Sequence, residues 1–325
     1  MATSRRPPEK SFPRLSAELD TLAAQIEAGR GGRLERNAPL ASRTSFRVGG
    51  PADLLFEPFS ADTLAEALAA AHRLGLPVTV LGGGTNILVA DRGVRGLVVR
   101  LGREFDFRKW QVHEDGARAS VEAGAATRLS RLVSEAVEGG WAGIEFAAGI
   151  PGTVGGGALM NAGAFGGEIG DAIERISAVT YAGEKLALER SKLRFSYRRL
   201  ALDASLVVTS VRFGLLRSSV GRLKRVVESV QRKRKSKQPL GLPNAGSIFR
   251  NPPGTAAGRL IEQAGLKGRT IGRAQVSPEH ANFIVNLGGA RAADIRDLMN
   301  VVQEEVWQRG GVWLEPEVRL IGDWE

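Results

Sequence analysis

The chain has 325 residues, of which 43% are hydrophobic and 25% charged, a globular balance that excludes a disordered or fibrous protein. It holds no cysteine, which removes disulfides, thiolate metal sites and a cysteine nucleophile and fits a reducing compartment. The net charge of +10 leaves nucleic acid, a small anionic substrate and plain solvation as readings to be separated.

A chain this long exceeds what one core commonly holds, so two or three subdomains are expected. Residues 1–14 are basic and contain prolines but no apolar signal core, and no apolar run approaches the ~20 residues of a membrane span. The expectation is a soluble, cytoplasmic protein with no membrane partner. Leu15, Leu19, Leu22 and Ile26 recur at helical spacing up to Gly29. Residues 52–56 read as a strand, after which Ser60 caps a helix carrying Leu64, Ala67, Leu68 and Ala71 that closes at Gly75. Strands follow at 77–81, 87–90 and 96–101. A second unit has a strand at 119–123, a helix at 130–137, a hairpin of 175–181 and 185–188 across Ala182-Gly183-Glu184, and a strand at 205–215. A basic helix over 220–235 leads to Pro239 and Pro243. The last unit reads as a helix around 260–264, a strand at 282–286, a helix over 292–308 and a strand at 313–321. The expected division is 1–37 for an N-terminal tail and helix, 38–101 and 102–217 for two α+β units, and 218–325 for a third.

Two glycine-dense loops stand out. Gly82-Gly83-Gly84-Thr85-Asn86 follows a strand as a nucleotide loop does, but the G-x-G-x-x-G spacing fails because Ile87 stands at its last position. Its backbone N–H groups, the Thr85 hydroxyl and the Asn86 amide can close around phosphate; a tight structural turn is the equal alternative. The second loop is Gly149-Ile150-Pro151-Gly152-Thr153-Val154-Gly155-Gly156-Gly157-Ala158. So much conformational entropy is costly unless backbone must approach something closely. Two such loops on two small units suggest a flat, phosphate-bearing cofactor held between them rather than a Rossmann fold.

Other chemistries find little support. His72, His113 and His280 are the only histidines and none has metal-ligand spacing with another; no G-x-S-x-G elbow exists. No metal is expected. The run Arg232-Lys233-Arg234-Lys235-Ser236-Lys237 has no interleaved aromatics, so nucleic acid is not the expected partner. In Asn244-Ala245-Gly246-Ser247-Ile248-Phe249-Arg250-Asn251-Pro252 the serine reads neither as a cap nor as a turn of familiar type. Glu315, Glu317 and Arg319, taken alone, form the charged face of an edge strand.

Together these segments resemble the family of UDP-N-acetylenolpyruvoylglucosamine reductases, in its branch with a short connection between Arg198 and Ser247. The matching pieces run in the family's order: Thr44-Ser45-Phe46-Arg47-Val48-Gly49-Gly50, residues 81–86, 149–156, Phe195-Ser196-Tyr197-Arg198, 244–252, His280-Ala281-Asn282-Phe283-Ile284-Val285-Asn286 and 314–322. The resemblance implies an α+β protein in which two subdomains of the flavin-oxidase (PCMH/VAO-like) type clasp FAD and a C-terminal α+β domain closes over the substrate. It implies NADPH-dependent, FAD-mediated reduction of UDP-N-acetylglucosamine enolpyruvate to UDP-N-acetylmuramate, for peptidoglycan precursor synthesis, by a monomer. Its catalytic positions fall on Arg198, Ser247 and Glu317. Its flavin contacts fall on Arg47, Gly82, Gly83, Gly84, Thr85, Asn86, Gly124, Pro151, Gly152, Thr153, Gly155 and Gly156. Its substrate contacts fall on Tyr197, Arg234, Lys237, Asn251 and His280. The chain departs from the pattern at Leu200, where the family carries a hydroxyl, and at Glu279, where a basic or polar residue is common.

Reducing an enol ether attached to a carboxylate needs hydride, a carboxylate clamp and a proton source. The planar fork of Arg198 suits the carboxylate, and Ser247 would protonate the carbanion centre. Glu317 must be either protonated or an orienting group, since an ionised carboxylate would repel the forming enediolate. A related oxidase with covalent FAD is disfavoured, because neither glycine loop holds a histidine and the chain has no cysteine.

Overall fold

The computed structural model describes residues 13–236, 238–239 and 241–325. Ser60 opens the helix Ala61–Arg73 through a reciprocal capping box with Thr63. Leu64, Ala67, Leu68 and Ala71 are buried along it, the stripe that a 3.6-residue period puts on one face. That face covers a four-stranded sheet in the order Gly32–Pro39, Pro51–Pro58, Val94–Arg100, Val78–Leu81. The first pair is antiparallel and the other two are parallel. The N-terminal helix Pro13–Gly29 adds Leu22, Ala23 and Ile26 to the same core. Strand Gly32–Pro39 was absent from the expected elements; its residues are mostly exposed, so no apolar alternation marks it.

The second unit is an antiparallel sheet ordered Lys185–Glu189, Ile173–Thr180, Leu206–Arg217, Arg118–Gly124, Arg108–Val112. The expected hairpin is present, turning at Gly183 with φ of 92°. That glycine is needed twice. A Cβ there would also lie 2.7 Å from Ala65 O on the helix of the first unit, so this turn is one of the places where the two units touch. Helix Val220–Lys235 matches its expected bounds, but its buried Leu223 and Val230 belong to the core of the second sheet, with Val121 and Phe213. The expected division had placed that helix with the third unit.

The last unit packs Ala257–Gln263 and Ala292–Gly310 against the small sheet Thr270–Ile271, Ala274–Val276, Ile284–Asn286. It is tied to the first unit at several points. Asp91 accepts from the backbone N–H groups of Ala292 and Ala293, at 2.8 and 2.9 Å, and so caps the helix Ala292–Gly310 across the boundary; a cap of this kind contributes about 1 kcal/mol. The Asn286 amide donates to Phe46 O at 2.9 Å. Strand Arg319–Ile321 lies parallel to Ile87–Val89.

The expected strand over 313–321 is shorter than its pattern suggests. Only Arg319–Ile321 forms a ladder, and 313–318 touches the Ser247 segment through one isolated bridge, Phe249 to Pro316. The bonds of that bridge come from the residues flanking Pro316: Arg250 N donates to Glu315 O and Glu317 N to Ile248 O. Among the described residues no helix is long and apolar enough to cross a membrane.

Candidate active site

The two glycine loops meet. After strand Val78–Leu81 the chain turns at Gly84, whose φ is 64°. Gly83 then faces the second loop so closely that a Cβ on it would lie 3.0 Å from Gly152 Cα. A Cβ on Gly152 would lie 2.9 Å from Thr85 Oγ1, and that hydroxyl donates to Pro151 O at 3.4 Å. Thr153 caps the short helix Val154–Leu159, its Oγ1 accepting from the Gly156 N–H. The backbone N–H groups of 82–86, and those of Gly152 and Thr153, donate to no acceptor among the described residues. Gly82 and Gly83 are exposed and Thr85, Asn86, Gly152 and Thr153 only half-buried, so these donors are open to an approaching ligand. A double row of them at a glycine-lined seam suits the diphosphate of a dinucleotide cofactor.

The remaining expected flavin contacts divide. Arg47 is exposed on a left-handed turn (φ 58°) in the segment that Asn286 anchors. Gly124 and Gly155 are buried, and their missing side chains have an internal reason. A Cβ on Gly124 would lie 2.0 Å from Phe105 O, and one on Gly155 2.8 Å from Ala125 Cβ. Packing between protein segments therefore accounts for both glycines without a ligand.

Arg198 is the second residue of the two-residue turn between Arg194–Ser196 and Arg199–Ala201. Its φ is 56°, where a residue other than glycine costs about 1–3 kcal/mol and persists only if its surroundings over-determine it. Its Nε donates to Glu317 Oε1 at 2.9 Å, with the two side chains only 19% and 16% exposed. The guanidinium also lies 5.0 Å from the centre of the Tyr197 ring, and a Cβ on Gly163 would meet its Nη1 at 2.9 Å.

Glu317 is delivered by backbone. Its N–H donates to Ile248 O at 2.7 Å, while Asn86 Nδ2 holds its carbonyl at 3.1 Å. The expected exposed edge therefore does not form. Glu315 is 72% exposed at its side chain, but Glu317, which regular alternation would put on the same face, is turned inward after Pro316. Burial pushes the Glu317 carboxyl up; Arg198 and then Arg250 pull it down without offsetting that effect. The ion pair favours the charged form and burial the neutral one, and burial is the larger influence.

Ser247 is the neighbour of the residue that receives Glu317. Its loop is a turn of familiar kind after all: Asn244 Oδ1 accepts from the Gly246 N–H at 3.0 Å, an Asx turn, and Gly246 takes φ of 78°. Asn282, 4% exposed, clamps the other side. Its Oδ1 accepts from Phe249 N, its Nδ2 donates to Phe249 O, and its carbonyl accepts from Ile248 N. Asn282 lay inside a motif already noted, but nothing local marks it as the residue that fixes the serine loop.

The expected substrate contacts are less closely gathered. Tyr197 is 46% exposed beside Arg198. Arg234 is half-buried against Gly149, where a Cβ would come 3.1 Å from its Cδ and Nε, and burial alone lowers its pKa. Lys237 lies outside the described residues. Asn251 Oδ1 accepts from Ala257 N at 3.0 Å, so part of its capacity goes to opening a helix. His280 packs edge-on to Phe283, its Nδ1 accepting from Asn282 N. An open cavity of about 610 Å³ lies elsewhere, lined by His113, Arg118, Glu174 and Glu189 among others, and none of these expected flavin or substrate residues borders it. Behind its wall the Ser120 hydroxyl, 2% exposed, sits between Glu174 and His113, at 3.2 and 3.1 Å, out of reach of a substrate in the cavity.

The sequence model of an FAD-binding domain matches residues 52–189, which makes the first two units a flavin-binding fold and the molecule a flavoprotein oxidoreductase. The model described as the C-terminal domain of UDP-N-acetylenolpyruvoylglucosamine reductase matches residues 238–321. Relatives named UDP-N-acetylenolpyruvoylglucosamine reductase include one from Anaeromyxobacter sp. (strain Fw109-5), 46% identical over 92% of this chain and 92% of its own length. Another, from Moorella thermoacetica, is 42% identical over 94% of this chain and 99% of its own. The crystal structure of the UDP-N-acetylenolpyruvylglucosamine reductase of Thermus caldophilus superposes with a TM-score of 0.77 at 39% identity, covering 89% of this chain and 99% of that one. The chain belongs to the UDP-N-acetylenolpyruvoylglucosamine reductase family.

Proposed function

We propose that the protein reduces UDP-N-acetylglucosamine enolpyruvate to UDP-N-acetylmuramate, using FAD held non-covalently at the seam of the two glycine loops and NADPH as hydride donor. The observation that carries this reading is a pair of linked hydrogen bonds: Asn86, the last residue of the first glycine loop, holds the backbone of Glu317, which in turn pairs with Arg198. Cofactor cradle and acid–base groups are thereby one assembly. The protein acts in the cytoplasm as a monomer, and its positive charge serves the substrate's phosphates rather than nucleic acid.

The flavin, when bound, supplies the hydride chemistry. Arg198 holds the substrate carboxylate. With its Nε committed to Glu317, the edge left for that carboxylate is the Nη1–Nη2 pair, an end-on fork. That fork stays in place as negative charge spreads onto the carboxylate oxygens, so its stabilisation needs no reorganisation. Ser247 Oγ donates the proton to the carbon beside the carboxylate. Arg234 and Lys237 hold the diphosphate, and the unit from about residue 238 closes over the sugar.

If the seam is the cradle, Gly83→Val should yield folded protein depleted of flavin, because the new side chain presses on Gly152 and covers the donors. Visible absorbance per chain reads this directly, and a normal flavin content would return both loops to simple turns. The Arg234→Ala, Lys237→Ala double variant should raise the substrate KM more than tenfold, since a charge-assisted phosphate contact is worth roughly 1.5–3 kcal/mol. NADPH-driven bleaching should stay as in wild type; an unchanged KM would make these cations ordinary surface.

Glu317 gives a test by pH. Its pKa is raised in the fold, so folding favours the neutral carboxyl. That contribution is complete below the ordinary glutamate pKa and is lost as pH rises through the raised one. Glu317→Gln, neutral throughout, should therefore melt higher than wild type at neutral pH, with the gap closing in acid. A gap that is the same at every pH would contradict the shift.

A further inference from the structure

Arg198 occupies a backbone conformation that its own residue type disfavours, so something else must impose the turn. The side chain that reaches it is Asn161, which is fully buried and itself left-handed, with φ of 41°. Its Nδ2 donates to Ser196 O, the residue that opens the Arg198 turn, at 3.0 Å, and to Glu168 Oε2 at 2.6 Å. Its Oδ1 accepts from the Gly170 N–H at 3.0 Å. Both amide hydrogens and the oxygen are thus spent, in a pattern that only an amide satisfies. An aspartate would face Glu168 with like charge, and an alanine would leave the buried Gly170 N–H without this acceptor and the Ser196 carbonyl without this donor. The segment Asn161 begins then returns to the same arginine. Gly163–Ala164 pairs with Gly167–Glu168, and the bare Gly163 leaves the space beside Arg198 Nη1 that a methyl would enter.

We propose that Asn161, braced by Glu168, is a positioning residue for Arg198: it sets the turn from the carbonyl side, while Gly163 leaves the slot in which the guanidinium lies. The inference rests on the reading of Arg198 as the carboxylate clamp. Asn161 touches no expected flavin contact, so its effect should be confined to the half of the reaction in which Arg198 acts.

The experiment is a double-mutant cycle on the separated half-reactions. Asn161→Ala should keep its flavin and bleach with NADPH as wild type does. Reoxidation by the enolpyruvate substrate should slow by about 10–100-fold, the scale on which a misplaced catalytic group costs rate. In an Arg198→Ala background the same substitution should cost nothing further, because residues that act through one group are not additive. A loss of equal size in both backgrounds, or unchanged reoxidation, would overturn the proposal. Glu168→Ala, at a half-exposed site, carries the same test with a smaller expected loss should Asn161→Ala fail to fold, and additivity there would overturn it equally. If Arg198→Ala itself reoxidises normally, it is the clamp reading that falls, and the two failures are told apart.

Discussion

Ser247→Ala is expected to keep its flavin and to bleach with NADPH at the wild-type rate, yet to lose about 10²–10⁴-fold in turnover, the usual cost of removing a general acid. The two halves separate because only the second needs a proton at carbon. The serine hydroxyl is an intrinsically weak acid, so the contribution proposed for it is one of position. That position is fixed on one side by the Asx turn at Asn244 and on the other by the Asn282 clamp. Neither depends on the hydroxyl, so the variant should fold normally. The loss should appear in kcat rather than in substrate affinity. Ser247→Cys should recover part of it, since a thiol is the stronger acid at similar reach. A variant that bleaches slowly but reoxidises normally would make the serine structural.

Arg198→Ala should cost about 10²–10³-fold in kcat, the loss seen when one preorganised donor to a developing oxyanion is removed, with a rise in KM from the missing carboxylate contact. Arg198→Lys should fall between the two. A single ammonium cannot pair with Glu317 and also present a planar fork. The backbone offers a control. Arg198→Gly should be as inactive as Arg198→Ala but more stable by about 1 kcal/mol, because glycine accepts the left-handed turn without penalty. Equal stability of the two would mean that the turn is not strained, and near-normal turnover in either would place the carboxylate clamp elsewhere.

The parts of this architecture legible in sequence are those set by local chemistry. The Ser60 cap, the apolar stripe of Ala61–Arg73 and the bounds of Val220–Lys235 follow from capping and period. The edge strands Gly32–Pro39 and Arg108–Val112 escaped because they are mostly polar and exposed, so alternation carries no signal there. Within the site, the motifs supplied Arg198, Ser247 and Glu317 as separate points. What joins them is non-local: Asn86 and Glu317 stand 231 residues apart, and Arg198 and Glu317 stand 119 apart. The pattern over Glu315, Glu317 and Arg319 misled for a specific reason. Alternation assumes a regular ladder, whereas here the segment pairs only at the isolated Phe249–Pro316 bridge and Glu317 lies in the interior. Asn161 was invisible for the opposite reason: an asparagine in a glycine-rich stretch reads as a turn residue, and its value lies in three partners that only the fold brings to it.

The measurement that bears most directly on the whole account is anaerobic reoxidation. The purified protein, loaded with FAD and reduced by NADPH in the absence of oxygen, is mixed with UDP-N-acetylglucosamine enolpyruvate while flavin absorbance and product are followed together. The account predicts prompt return of the oxidised flavin spectrum with UDP-N-acetylmuramate formed in step. Flavin that stays reduced until oxygen is admitted, or a chain that remains colourless after FAD is added, would contradict it.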